Sequence, residues 1–240
     1  MGFVEGYPTN SFFIYEFDGF IKDEADLADY KAKMKGGVPT NLRVGDAKYI
    51  DKDGDGVLEP TLYKEGDPNS GDIVYKGTNN QRYLYGINLG LDWKGIDVSV
   101  FLQGVGKWDC INGTYAGGGE VWKQSSQYFY HNTWSPDRPN AEYPRLTQDG
   151  GIHGYNYQWS DAPYKFFNNR YLRLKEVQIG YTFPTTLTKK IGVEKLRVYA
   201  TGMNLLEWDN LPNGFDPEAP YTENLIPFSR TYSIGVNVQF

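Results

Sequence analysis

Cysteine occurs once in these 240 residues, at Cys110, and histidine twice, at His131 and His153. One thiol excludes an internal disulfide framework and a cysteine-built zinc site. The two histidines lie far apart, with no nucleophile motif beside either. No G-x-S-x-G elbow or phosphate loop occurs, and Gly117-Gly118-Gly119 is a flexible loop tip, not a dinucleotide fingerprint. Carboxylates are numerous, but nothing singles out a glycosidase pair. The chain reads as a non-enzyme. Basic residues are in the minority, 24 Lys and Arg against 30 Asp and Glu, so no broad basic face exists for nucleic acid. Mean hydropathy is −0.58. No apolar run of about 18 residues occurs, which excludes a membrane-spanning helix but not a membrane barrel of alternating strands. Residues Met1 to Glu5 lack the basic start and apolar core of a signal peptide, which points to a cytosolic chain or a piece of something larger.

Aromatic residues are abundant at 16%, with 20 Tyr, alongside 28 Gly. That balance opposes a helical bundle. The clearest pattern is alternation. Tyr83, Tyr85, Ile87, Leu89, Leu91 and Trp93 share one face, opposite Leu84, Gly86, Asn88, Gly90 and Asp92. Lys94-Gly95 makes a tight turn, and Ile96, Val98, Val100 and Leu102 continue as the second arm of a hairpin. A strand beginning near Arg170 ends with Val177, Ile179, Tyr181 and Phe183. Another is led by Leu196, Val198 and Ala200, and a last one carries Tyr232, Ile234, Val236, Val238 and Phe240. With a shorter candidate at Ser11 to Phe17, about six antiparallel strands are expected, several long enough to cross a bilayer at a tilt.

Short and long connections alternate. Lys94-Gly95 and Pro184 to Val193 are short, whereas 19–82, 105–169 and 207–229 are long. Outer-membrane barrels have this asymmetry, with short periplasmic turns and long extracellular loops. Aromatics near the strand ends fit interfacial girdles, or equally the core of a soluble sandwich. Six strands fall short of the minimum of about eight for a membrane barrel, so on that reading the chain is part of a larger one.

Six stretches resemble, in order, the C-terminal part of SusC/RagA-type TonB-linked outer-membrane proteins. They are Gly6 to Phe13 with Phe17-Asp18-Gly19; Asp51 to Gly56; Tyr85 to Gly90 with Lys94 to Ser99 and Gln103 to Gly106; Trp134-Ser135-Pro136 with Asn140 to Arg145; Tyr171 to Lys175 with Gly180 to Pro184; and Asn204-Leu205-Leu206, Gly214 to Glu218 and Arg230 to Ser233. The resemblance covers nearly the whole chain. It implies an all-β transmembrane barrel of about twenty-two strands, of which residues 1–240 form a C-terminal part. It also implies bacterial outer-membrane localisation and glycan or oligopeptide import with a SusD-like surface lipoprotein, energised through TonB. The TonB box and plug domain of the family pattern are not in this sequence. The terminal Phe240, after Val236 and Val238, resembles an outer-membrane assembly signal.

Asp51, Asp53 and Asp55 alternate with Lys52 and Gly54, and Gly56 follows. Calcium takes hard oxygen ligands in a tightly curved loop, and EF-type loops place them at positions one, three, five, seven and nine. Those positions are Asp51, Asp53, Asp55, the Val57 carbonyl and Glu59. Position twelve is Leu62, where a bidentate Glu is required. A solvated acidic turn is the competing reading, because Asp-Gly steps favour turns.

Four of the six Trp lie between Gly104 and Asn169. Trp108, Trp122, Trp134, Tyr155, Tyr157 and Trp159 are the candidate substrate-stacking residues, and packing among the loops is the competing role. Asp23 is placed to cap a helix through Met34, with Asp26 in its first turn. Two functions stay open: part of a TonB-dependent importer in contact with outer-membrane lipid, or a soluble β-rich carbohydrate-binding module with aromatic loops.

Overall fold

The computed structural model describes residues 4–111, 131–147, 152, 154–155, 159–211, 216–218 and 229–240. In chain order its strands are β1 (Ser11–Tyr15), β2 (Phe17–Phe20), β3 (Ala47–Tyr49), β4 (Ile73–Thr78), β5 (Arg82–Trp93), β6 (Ile96–Lys107), β7 (Asp109–Ile111), β8 (Phe166–Asn168), β9 (Tyr171–Thr182), β10 (Lys195–Asp209) and β11 (Thr231–Gln239). Helix α1 (Glu24–Lys33) follows β2, and the one-turn α2 (Thr185–Thr188) follows β9. The chain divides into two compact units. One comprises residues 1–80, 109–167 and 221–223, the other 81–108, 168–220 and 224–240.

The second unit is built on one antiparallel sheet of order β11-β10-β9-β6-β5. Its starting point is the β5–β6 hairpin. Lys94 and Gly95 both take positive φ, 50° and 87°, so the two-residue turn matches the right-handed twist of its strands. The pair Trp93↔Ile96 closes the ladder and fixes the register. Directly opposed residues share a face, so rows can be followed across all five strands. One row reads Leu91, Val98, Ile179, Ala200, Ile234, and the next toward the turn reads Trp93, Ile96, Tyr181, Val198, Val236. The row between them reads Asp92, Asp97, Gly180, Tyr199, Gly235, and the row on the other side of Leu91 reads Gly90, Ser99, Gln178, Thr201, Ser233. One face is therefore apolar and the other polar.

Glycine on the polar face makes room for large neighbours. A side chain at Gly235 would run into the Tyr199 ring, and one at Gly180 into the Arg197–Asp97 ion pair that crosses over it. On the apolar face Tyr85 lies over Gly104 and donates to the Tyr171 carbonyl at 3.1 Å. Lys175 drops out of register with both neighbours of β9, and a matching irregularity in β10 between Met203 and Leu206 includes Asn204 at φ 52°. This bulge resets the alternation, so Leu172 and Leu174 stay on the apolar face and Arg173 on the polar one.

Five of the six expected strands thus share one sheet. Ser11–Tyr15 does not join it. It pairs with β4 in the first unit and is buried on both faces. A continuous apolar run, Ser-Phe-Phe-Ile-Tyr, carries no alternation to mark one wet face, and this strand has none. The sheet strands also run beyond the expected loop edges, to Lys107 and Asp209. The connection expected as a loop at 19–82 instead holds α1, β3 and β4.

In the first unit, Asp23 caps α1 by accepting from the Asp26 N–H at 2.9 Å. Glu24 and Asp26 in the first turn and Lys31 and Lys33 in the last suit the helix dipole. Leu27, Tyr30 and Met34 turn one side of the helix into a core with Tyr15, Ile21, Tyr49, Leu58, Ile152 and Tyr155. The buried Tyr30 hydroxyl lies 3.0 Å from the Tyr155 hydroxyl and 3.1 Å from the Tyr49 backbone N–H, which donates to it. The Tyr49 hydroxyl donates to the Tyr155 carbonyl at 2.7 Å. Burial raises the phenol pKa of both Tyr30 and Tyr155 above the ordinary value. Outside this core, Glu16 binds Lys52 at 2.5 Å and Lys76 at 2.6 Å, and Lys76 also reaches Asp161 at 2.9 Å.

Candidate functional site

The acidic loop of the first unit is held by its own carboxylates. Asp51 accepts from the N–H of Gly54 and of Gly56, each at 2.8 Å. Asp55 accepts from the Val57 N–H at 2.6 Å. Gly54 and Gly56 stand at φ 80° and 89°, the left-handed region that glycine enters at no steric cost. The Gly56 carbonyl accepts from Lys35 N–H at 2.6 Å, and the Lys35 ammonium reaches the Asp55 carbonyl at 2.6 Å, which ties the loop to the end of α1.

The carboxylates that converge are Asp51, Asp53 and Asp72, with one oxygen of each within 4.8 Å of the others. Asp55 and Glu59 are not in that group. The Asp55 carboxylate is turned to the Val57 N–H, and the Glu59 backbone N–H donates to Asp72 at 2.7 Å. The Asp72 carboxylate is fully buried and also accepts from Lys52 N–H at 2.6 Å. Burial raises its pKa, the two backbone N–H donors oppose that, and the charges of Asp53 and Asp51 add to the rise. Asp72 was invisible to a spacing argument because it belongs to the segment leading into β4. The one sequence signal was a Gly71-Asp72 step immediately before a β-branched run.

The expected stacking aromatics separate. Trp108 is buried against Val105 and Tyr171, and its carbonyl accepts from Asn169 N–H at 2.7 Å. Tyr155 is buried in the first unit's core. Neither presents a face to a ligand, because the packing of their own units covers them. Trp159 is half exposed, and its carbonyl accepts from Tyr15 N–H at 2.9 Å. Trp134 lines a groove of about 820 Å³ with Lys22, Leu27, Arg43, Val44 and Pro136. Trp122 and Tyr157 lie outside the described residues.

In the second unit the polar face carries a charge cluster that alternation arguments passed over. Arg173, almost fully buried, pairs with Glu207, with Asp216 at 2.8 Å and with Glu218 at 3.2 Å. Lys175 binds Glu218 at 2.8 Å. Asn169 donates to the Pro217 carbonyl at 2.7 Å. Together these hold residues 216–218 against β9 and β10. Nearer the short turns, Arg197 pairs with Asp97 and donates to Gln178 at 2.8 Å. An arginine in an otherwise alternating strand was the signal available for both.

Among the described residues the opposite face has no polar cover. Leu89, Leu91, Ile179, Tyr232 and Ile234 are among its exposed side chains, Ile234 at 83%. A soluble domain rarely exposes so continuous an apolar surface. Strands with one apolar and one polar face, long enough to cross a bilayer, define the wall of an outer-membrane β-barrel, here partial and not closed. No helix among the described residues is long and apolar enough to cross a membrane.

No family model matches the chain. Over 252 residues it is 26% identical to TonB-dependent receptor P3 of Formosa agariphila, covering 98% of this chain and 22% of that protein. It is 28% identical over 216 residues to TonB-dependent receptor P26 of the same organism, covering 82% of this chain and 20% of that one. Its fold matches a structure of the RagAB peptide transporter with a TM-score of 0.62, at 24% identity, over 98% of this chain and 23% of the other. The RagAB peptide importer in its open-open state gives 0.61 at 23% identity, with the same coverage. Along nearly all its length the chain is similar to TonB-dependent receptors, and it shares the fold of the RagAB neighbours. It spans about a fifth of the length of the curated relatives it matches. Those relatives are receptors, not enzymes, which supports the non-enzymatic reading.

Proposed function

We propose that this chain supplies part of the barrel wall and outward loops of an outer-membrane importer energised through TonB. On this reading residues 19–82, 105–169 and 207–229 are extracellular, and a SusD-like surface lipoprotein works with them to take up a glycan or an oligopeptide. The observation that carries the reading is the division of the five-stranded sheet into an uncovered apolar face and a charged polar one. The apolar face meets lipid tails, and the polar face, with Arg173, Arg197 and Asp97, lines the passage. Uptake of labelled oligosaccharides and oligopeptides by cells carrying the protein tests it. Uptake should depend on TonB and on the lipoprotein. Unchanged uptake after removal of TonB would contradict the reading.

We also propose calcium for the acidic loop, with Asp51, Asp53 and Asp72 as carboxylate ligands. Three hard oxygen donors from two turns of chain, one of them buried, fit that ion's preferences. An exposed loop of this kind suits weak affinity, on the order of 10⁻⁴–10⁻³ M. Calorimetric titration tests it, with Asp53→Ala as the control. No heat at millimolar calcium would sink the idea.

A further inference from the structure

We infer that a hollow on the apolar sheet face, between Tyr85 and Trp208, holds the phosphorylated glucosamine headgroup of lipopolysaccharide. The inference rests on the importer reading for its orientation, which puts the long connections, and so this end of the sheet, at the cell surface.

The hollow lies wholly within the second unit, at the end of the sheet away from the Lys94-Gly95 turn. Toward it the apolar face changes character row by row. One row is aliphatic: Ile87, Leu102, Leu174, Leu206. The next reads Tyr85, Gly104, Leu172, Trp208. Beyond that row, Gly106, Arg170 and Asn210 line the same hollow as Tyr85, Leu172 and Trp208. Hydrocarbon, then an aromatic pair, then a cation and an amide is the order of groups across a membrane–water interface. Tyr85, Ile87, Leu206 and Trp208 are all exposed, so nothing described covers this edge.

Glycine shapes the hollow. The Tyr85 ring lies across Gly104, where any side chain would strike it, and its hydroxyl is fixed by donating to the Tyr171 carbonyl at 3.1 Å. The ring therefore reaches β9 from two strands away and faces Trp208 across Leu172. Gly106 adds no side chain above them, and a Cβ there would press on Tyr83 at 3.1 Å. The volume is about 380 Å³, at the small end of ligand sites, and takes one phosphorylated sugar ring.

Among the described residues, Arg170 is the one charged side chain on this part of the apolar face. Asp209 also touches the hollow, but it stands opposite Tyr171 in a polar-face row and its carboxylate accepts from the Leu211 N–H at 2.7 Å. Glu207 belongs to the polar face too and pairs with Arg173. A guanidinium at the edge of lipid tails loses hydration on that side, and a phosphate's paired oxygens match its fork. The two aromatic flanks suit the C–H faces of a pyranose ring, and Asn210 offers an amide to its polar substituents. The acyl chains then run over Leu172 onto the Leu174 and Leu206 row. Lipopolysaccharide is the outer-leaflet lipid that joins a phosphate, a sugar ring and acyl chains in that order.

Native mass spectrometry of the intact protein, stripped of lipid in detergent, tests this with diphosphoryl lipid A, the same lipid without its phosphates, and phosphatidylglycerol. Diphosphoryl lipid A should bind about tenfold more tightly than the dephosphorylated form, the scale of one charge-assisted contact, and phosphatidylglycerol should not displace it. Arg170→Gln should abolish the preference for phosphate, and Arg170→Lys should keep part of it. Arg170 is exposed, so both variants test the site without disturbing its walls. Trp208→Leu should weaken both forms of lipid A, with resistance to unfolding in warm detergent unchanged. Equal binding of the two forms, displacement by phosphatidylglycerol, or an Arg170→Gln protein that still prefers phosphate would overturn the inference. TonB-dependent uptake in a protein with no preference for phosphate would remove the hollow as a site and leave the importer reading standing. A clear preference in a protein whose uptake ignores TonB would keep the site and strike the importer reading.

Discussion

The guanidinium of Arg173, almost wholly buried on β9, holds the carboxylate of Asp216 at 2.8 Å and so pins the segment that follows β10 against the polar face of the sheet. The pair links two stretches that read in the sequence as separate motifs, Tyr171 to Lys175 and Gly214 to Glu218. Truncating Asp216 leaves a buried cation with only part of its complement of carboxylates. Asp216→Ala should therefore cost about 2–3 kcal/mol and free residues 216–218. Hydrogen exchange at Glu218, whose N–H donates to Asp216 at 2.9 Å, reads this directly. The Arg173→Met, Asp216→Ala double variant should lose less than the sum of the two single changes.

Gly235 tests the close packing of the polar face. Its Cβ position is taken by the Tyr199 ring on β10. Gly235→Ala should destabilise the folded sheet by roughly 1–3 kcal/mol through overpacking. Adding Tyr199→Ser should restore most of that loss. Resistance of the folded form to unfolding in warm detergent is the measurement.

Glu16 contributes to the acid response of the first unit. Hydrogen bonds from Lys52 and Lys76 hold its carboxyl below the usual glutamate range, against a smaller opposing effect of burial. A carboxylate with a depressed folded pKa stabilises above its unfolded value, and that contribution is lost as pH falls through the folded one. Glu16→Gln should therefore lower stability at neutral pH by about 1–2 kcal/mol and flatten the loss on acidification. Limited proteolysis across pH 3–7 checks both.

The proposed calcium binding should weaken with acid. Asp72 must be ionised to serve as a ligand, and its pKa lies above the ordinary aspartate value. Affinity should begin to fall at a higher pH than a site of ordinary aspartates would show. Asp53→Ala should abolish binding, whereas Asp55→Ala, whose carboxylate bonds only its own loop at 2.6 Å, should weaken it much less. Titrations at three pH values separate the two variants.

The sheet was legible in the sequence because every strand in it has one wet and one apolar face, and period-two alternation records that difference residue by residue. Its hairpin was legible because Lys94-Gly95 leaves no other connection. The capped helix at Asp23 was legible from local chemistry alone. The first unit's pairings were not. Phe17↔Tyr49 and Phe20↔Ala47 join strands of three and four residues across a helix, too short for periodicity to show. The Asp51–Asp72 convergence and the Arg173–Asp216 pair are long-range contacts, set by how the loops fold back and not by spacing. Tyr155 and Trp108 looked like ligand-stacking residues because composition cannot tell a loop aromatic that faces solvent from one that packs a core.

The central claim is that Ile87, Leu89 and Leu91 face lipid while Asn88, Gly90 and Asp92 face water. Single cysteines placed from 87 to 92 in the protein with Cys110 replaced by Ser, reconstituted in lipid bilayers and each carrying a nitroxide label, test it through collision rates with oxygen and with a water-soluble nickel chelate. The account predicts strict alternation, with oxygen access highest at 87, 89 and 91 and nickel access highest at 88, 90 and 92. Labels at 87, 89 and 91 that are shielded from oxygen, or as open to nickel as their neighbours, would contradict it.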